Sequence, residues 1–101
     1  QRWPAAVAAL PRVALAAMLA GLVLQPAVNA LSRRFELQAD RDALSLTGDP
    51  ASYRSAYLKL AETNLADPNP HRLVEWYFYD HPALSRRLAL AEQAPLQAHT
   101  Q

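Results

Sequence analysis

The hydrophobic pattern divides the chain in two. From Trp3 to Leu31 the only charged side chain is Arg12, and Val13–Leu24 reads VALAAMLAGLVL, with no polar side chain. The stretch continues through Gln25, Pro26 and Asn29 to Leu31. A helix that crosses the hydrocarbon core of a bilayer needs about 20 mostly apolar residues, so Val13–Leu31 predicts a membrane-spanning helix that Pro26 kinks or ends. Two other readings compete for the segment. The apolar core of a secretory signal peptide runs about 7–15 residues, which Val13–Leu24 also fits. Against this, the chain runs straight on into a charged helix, and no small-x-small site stands out from the alanine background. The core helix of a small soluble domain is the other reading, but a helix apolar on all sides finds too little partner surface in so short a chain.

Beyond Leu31 the pattern is one of shorter, amphipathic helices. Over Ser32–Leu46, Phe35, Ala39, Asp42 and Ala43 share a face, as do Glu36, Asp40 and Ala43. This helix should end near Thr47-Gly48. Asp49-Pro50 then supplies an N-cap and a proline at the first helical position. The helix it starts runs to about Leu65, with Tyr53, Tyr57, Leu60 and Ala61 as an expected buried stripe. Asp67-Pro68-Asn69-Pro70 reads as a rigid loop. The aromatic run Trp76-Tyr77-Phe78-Tyr79 is too short for periodicity to choose between a helical turn and an extended segment. Asp80-His81-Pro82 opens a last helix over Ala83–Ala94, and Pro95–Gln101 is a polar tail expected to fray. The expected fold is all-α: a transmembrane helix region over 1–31, then an amphipathic helical region over 32–101. Ser32-Arg33-Arg34 at the end of the span puts the residues from Ser32 onward on the cytoplasmic side, although Arg2 and Arg12 lie at its other end.

Composition narrows the chemistry. A chain of 101 residues is one small domain or a fragment of a larger one, and a start at Gln1 favours an excerpt or a processed product. With 10 basic and 9 acidic residues, the formal net charge of +1 gives no reason to expect a nucleic-acid partner. The absence of cysteine excludes disulfides and thiolate zinc sites, leaving His, Asp and Glu as metal ligands. The histidines are His71, His81 and His99, and no two stand four residues apart on a helical face, so no self-contained metal site is expected. Only Gly21 and Gly48 are glycine, which rules out a glycine-rich phosphate loop. Alanine and leucine dominate while β-branched residues are few, a balance that favours helix over sheet.

Three polar clusters stand out. Glu36 and Asp40 are four residues apart, so their carboxylates lie side by side on one helix face and repel unless a positive group sits between them. Taken alone, such a pair is most often a solvated helix face. His81 precedes Pro82 at a helix start, where it could cap the helix or donate a hydrogen bond to a developing oxyanion; a structural histidine is the plainer reading. Arg86 or Arg87 could clamp a carboxylate with two parallel bonds, or simply be solvated.

Order and context give these clusters more weight together than apart. An apolar span, then SRRFELQAD, an amphipathic helix, and NPHRLVEWYFYDHPALSRRL follow one another. This succession resembles the integral-membrane zinc metalloproteases that include the type I CAAX prenyl proteases and the related heat-shock membrane proteases. Ser32, Arg33, Glu36, Ala39 and Asp40 match a signature of the form S-R-x-x-E-x-x-A-D, and His81, Pro82 and Arg87 match H-P-x-x-x-x-R. The passage KLAETNLADPNPHRLV resembles the CAAX-protease branch more than the heat-shock branch, and the resemblance covers about residues 22–92. It implies that Glu36 is the third zinc ligand, after two histidines of an upstream H-E-x-x-H helix whose glutamate is the general base. It implies that Asp40 holds a zinc-bound histidine by its far ring nitrogen. His81 would hydrogen-bond the substrate or the tetrahedral intermediate, and Arg87 would support the site electrostatically. A set of two histidines and a glutamate with an open fourth position suits catalytic zinc.

The chain departs from that pattern in three places. Ala83 stands where family members often carry a second proline, and Arg86 beside Arg87 leaves the choice of arginine open. No H-E-x-x-H occurs anywhere, so this chain by itself is expected to be inert, with zinc held only in company with the N-terminal remainder of the same protease. The expected partners are then the lipid bilayer, that remainder, and a protein or peptide substrate cleaved near its C-terminus. The Ala/Leu/Arg-rich composition hints at a bacterial inner membrane, where quality control of membrane proteins is favoured over prenylated substrates. A non-catalytic helical membrane protein derived from the same family is the alternative.

Overall fold

The computed structural model describes residues 3–64 and 67–94. The proposed tail Pro95–Gln101, His99, Arg2 and the Leu65 end of the second helix lie outside them. The described residues form helices α1 (Ala5–Thr47), α2 (Pro50–Asn64), α3 (Arg72–Phe78) and α4 (Leu84–Gln93), with no strand among them. The chain is all-α, as its alanine and leucine content predicts. Trp76, Tyr77 and Phe78 of the aromatic run form the last turn of α3, and Tyr79 after them is extended.

The apolar span and the helix expected after it are one element. α1 passes through Pro11, Pro26 and Leu31-Ser32 without a break and is 43 residues long, so Pro26 does not end it. At 1.5 Å per residue such a helix is about 65 Å long, roughly twice the thickness of a bilayer core. Its most apolar window has a mean hydropathy of 2.1, and none of that window is buried within the described residues. It therefore passes the length and composition test for a membrane-crossing helix and is not the core helix of this chain.

Pro26 has a local consequence. A proline has no N–H, so the carbonyl four residues earlier, that of Leu22, loses its intrahelical donor. The hydroxyl of Tyr77 on α3 donates to that carbonyl at 2.7 Å. An irregularity in α1 is thus turned into a tertiary anchor for α3.

α1 ends at Gly48, whose φ of 59° is left-handed and whose N–H donates to the carbonyl of Leu44 at 2.9 Å. Asp49 then caps α2 by accepting from the N–H of Ser52 at 3.0 Å, with Pro50 at the first helical position. α2 packs on α4, while α3 and α4 pack on α1. Tyr53, Tyr57 and Ala61 are half-buried, but Leu60, expected in the same stripe, is 50 % exposed. Phe35, Ala39, Asp42 and Ala43 all face outward. The apolar core is small: Leu44, Ala83 and Ala91 are buried, alongside the polar Asn29, Asp40 and Glu75. So few apolar contacts make the polar ones decisive for how the C-terminal helices sit on α1.

Candidate active site

The face of α1 that meets the C-terminal elements is polar and regularly spaced. Gln25, Asn29, Arg33, Glu36 and Asp40 recur every three or four residues, which places them in a row along one side of the helix. Each from Asn29 onward engages the returning chain in order. The amide nitrogen of Asn29, oriented by Gln25, donates to the Tyr77 carbonyl at 2.6 Å. Nη1 of Arg33 donates to the carbonyls of Glu75, Trp76 and Tyr79 at 3.0, 3.2 and 2.6 Å. Glu36 Oε1 meets Nδ1 of His81, and Glu36 Oε2 meets Nη2 of Arg87 at 3.1 Å. Asp40 receives Arg87 through two parallel bonds, Nε to Oδ2 at 2.7 Å and Nη2 to Oδ1 at 3.0 Å.

Two carboxylates, an imidazole and a guanidinium therefore converge from α1, from the loop before α4 and from α4 itself. Arg87 lies between Glu36 and Asp40 and relieves the repulsion expected of that pair. The arginine question left open by the sequence has a geometric answer. Arg87 faces Glu36 and Asp40, whereas Arg86 turns away to Glu75 at 2.8 Å. A helix places consecutive residues about 100° apart, so both cannot face α1.

Tyr57 completes the surroundings of Asp40. Its hydroxyl donates to Oδ1 at 3.1 Å, and its ring lies under the guanidinium of Arg87, 4.3 Å from centroid to Cζ. Burial pushes the Tyr57 phenol up and outweighs the lowering by Arg87, with Asp40 adding to the rise. Burial by itself would lower Arg87, but the hydrogen bond and charge of Asp40 outweigh it and hold the guanidinium above its ordinary range. The Tyr53 ring packs against Tyr57 at 4.7 Å, and its buried hydroxyl makes no hydrogen bond of ordinary geometry. Burial, with Asp40 near enough to add to it, drives that phenol far above the usual tyrosine range. Tyr57 was legible only as part of a stripe, because nothing in sequence ties it to Asp40.

His81 sits in a bend between α3 and α4. Its side chain is 62 % exposed, with Nε2 3.5 Å from Asp80. Pro82 and Ala83 beside it are buried, and the N–H of Ser85 donates to the Pro68 carbonyl at 3.0 Å, which fastens the start of α4 to the proline loop. Ala83 caps α4 with φ −58°, an angle proline itself adopts, so alanine at that position leaves the backbone path unaltered. His71, not singled out from the sequence, caps α3 by accepting from the Leu73 N–H at 3.2 Å. A cavity of about 590 Å³ opens beside these groups, with Glu36, His81 and Arg87 on its wall among apolar side chains such as Leu60, Phe78 and Leu84.

The donor chemistry bears on a metal. Both oxygens of Asp40 are engaged by Arg87 and Tyr57, and those of Glu36, 29 % exposed at the cavity wall, meet His81 and Arg87. Oxygen and imidazole nitrogen donors suit zinc. Among the described residues, no group of three or more His, Cys, Asp or Glu converges to hold a metal. Glu36 has the donor chemistry that one edge of such a site would use, with its oxygens here held by His81 and Arg87.

The family signature of peptidase family M48 matches residues 5–94, nearly the whole chain. The chain belongs to peptidase family M48. Within this family it is similar to the CAAX prenyl protease 1 homolog of Oryza sativa subsp. japonica, 42 % identical over 67 residues that make 66 % of this chain and 16 % of that protein. The human CAAX prenyl protease 1 homolog is 42 % identical over 65 % of this chain and 14 % of its own length. An uncharacterized metalloprotease, YhfN of Bacillus subtilis (strain 168), is 31 % identical over 86 % of this chain and 20 % of its own. The chain thus spans about a sixth of the length of the curated M48 relatives it matches. No solved structure matches it.

Proposed function

We propose that the chain is the C-terminal part of the catalytic unit of a membrane zinc endopeptidase, with Glu36 as one zinc ligand and two histidines of an H-E-x-x-H helix supplied from outside it. The observation that carries this reading is the convergence of Glu36, Asp40, His81 and Arg87, drawn from three elements and up to 51 residues apart, beside an open cavity. Surface ion pairs do not need such an assembly. Membership of M48 and similarity to CAAX prenyl protease homologs support the same reading.

Bound zinc would polarise the scissile carbonyl and make water nucleophilic near neutral pH. The chain's own residues would do the rest. Arg87 and Tyr57 hold Asp40 rigidly, and its Oδ2 keeps a lone pair for one more donor, such as the far ring N–H of an incoming histidine. His81, exposed at the cavity wall, would donate a hydrogen bond to the developing oxyanion. Arg87 offsets the negative charge of both carboxylates. α1 up to Leu31 would lie in the bilayer, and the site from Ser32 onward at its cytoplasmic edge, so the substrates would be membrane-associated proteins. The names of the plant and human relatives point to processing near a substrate's C-terminus.

The test is Glu36→Ala in the longer polypeptide that carries the H-E-x-x-H segment. Zinc content and peptide cleavage should both collapse, whereas Phe35→Ala, one residue away and 66 % exposed, should leave both intact. Full zinc content and full activity in Glu36→Ala would overturn the proposal.

A further inference from the structure

We infer that Arg33, assisted by Asn29, is a positioning residue for His81: it sets the register in which the His81 loop lies along α1. The inference rests on the functional reading of His81 given above. Little packing fixes His81 itself, since its side chain is 62 % exposed. Its place depends on where α3 ends. α3 has 7 residues, too few for a helix to hold itself together in isolation. The last carbonyls of any helix have no intrahelical donors. In α3 those carbonyls find their donors on α1: Tyr77 O is served by Asn29, and Trp76 O and Tyr79 O by Arg33. A cation at that end also complements the helix dipole.

The geometry then carries the register forward. Tyr79 is extended, with φ −90° and ψ 118°. Two residues span at most about 7 Å even when fully extended, so fastening the Tyr79 carbonyl confines His81 to a short reach from Arg33. Glu36 lies three residues further along α1, a rise of about 4.5 Å. The carboxylate that His81 meets therefore lies within the reach of the short bend that leads from Tyr79 to His81. The residue that looks from the sequence like a charge at the end of a span instead uses one guanidinium nitrogen to gather three carbonyls.

A double-mutant cycle in the full-length protease tests this, with kcat, KM and zinc content as readouts. His81→Ala should lower kcat by roughly 10²- to 10³-fold, as the loss of an oxyanion donor does. Arg33→Ala should lower it by about 10²-fold, the effect of a displacement of about 1 Å at a reacting group. Zinc content should hold, because Glu36 stands on α1 and does not depend on α3. On the His81→Ala background, Arg33→Ala should cost nothing further, since a residue that acts through His81 has nothing left to position. Arg33→Gln keeps an N–H donor but reaches fewer carbonyls; it is measured beside Arg33→Ala so that a folding defect in the alanine variant does not end the test. Its smaller loss should vanish on the same background. If the losses multiply in full, or zinc is lost with Arg33, the positioning role is overturned while the function of His81 stands. If His81→Ala is silent, the reading of His81 falls and this inference falls with it.

Discussion

Replacing Arg87 with methionine should undock α4 and α2 from α1. Arg87 is 14 % exposed and Asp40 8 %, so the pair is largely out of water. Removing one partner of a buried ion pair costs about 3–5 kcal/mol, because the other charge is left without compensation. Glu36 and Asp40 would also face each other without their shared cation. At about 6 Å and an effective dielectric near 20, that repulsion is roughly 3 kcal/mol, part of which solvent offsets. The contact with the Tyr57 ring contributes about 1 kcal/mol, part of which the methionine stem replaces. A net loss of about 3 kcal/mol corresponds to a shift of roughly 10²-fold in the docking equilibrium. Amide hydrogen exchange in detergent micelles reads it directly: peptides from Leu84–Gln93 and Pro50–Asn64 should lose protection by that factor, while the apolar part of α1 should not change. Adding Asp40→Asn to Arg87→Met should recover most of the loss, because a neutral amide leaves no buried charge. Arg86→Met is the control. Arg86 is 55 % exposed where it meets Glu75, itself 9 % exposed, so its half-solvated ion pair should contribute less than that of Arg87 with Asp40. Equal effects of Arg86→Met and Arg87→Met, or no recovery with Asp40→Asn, would refute the reasoning.

Other outcomes follow from the same contacts. Tyr77→Phe leaves the Leu22 carbonyl without a donor and should destabilise α3 docking by about 1 kcal/mol; in a Pro26→Ala background, where residue 26 regains its N–H, thermal melts should show almost no cost. Gly48→Ala should lower stability by about 1–2 kcal/mol in the same assay, since the left-handed φ of 59° crowds a Cβ. The phenol of Tyr53 ionises above its ordinary value in the folded state, so its contribution is complete below about pH 10, where unfolded tyrosine begins to ionise, and falls as pH rises beyond that. Tyr53→Phe should flatten this alkaline loss in pH-dependent melts. At neutral pH it should be neutral or stabilising by up to about 1 kcal/mol, because the buried hydroxyl has no partner.

The sequence by itself determined the local features. The alanine and leucine content and the apolar run set an all-α chain with one helix long enough to cross a membrane. Asp49-Pro50 and Gly48 marked the junction between α1 and α2, because caps and left-handed turns depend on residues that are neighbours in the chain. The spacing of Glu36 and Asp40, and of His81 and Arg87, resembled a known family closely enough to single out candidate site residues. Other parts were decided only in three dimensions. Nothing local says that α1 continues through Pro26, because the donor to the carbonyl that Pro26 deprives comes from Tyr77, 55 residues away from it. The row of Gln25, Asn29, Arg33, Glu36 and Asp40 was present as a helical spacing, yet its meaning waited on what lies opposite. Likewise, Arg87 rather than Arg86, the place of Tyr57 and the clamp by Arg33 are all pairings across 17 to 47 residues. Propensity and capping act over a single turn, whereas a buried carboxylate takes whichever donor the packing of distant helices brings within about 3 Å.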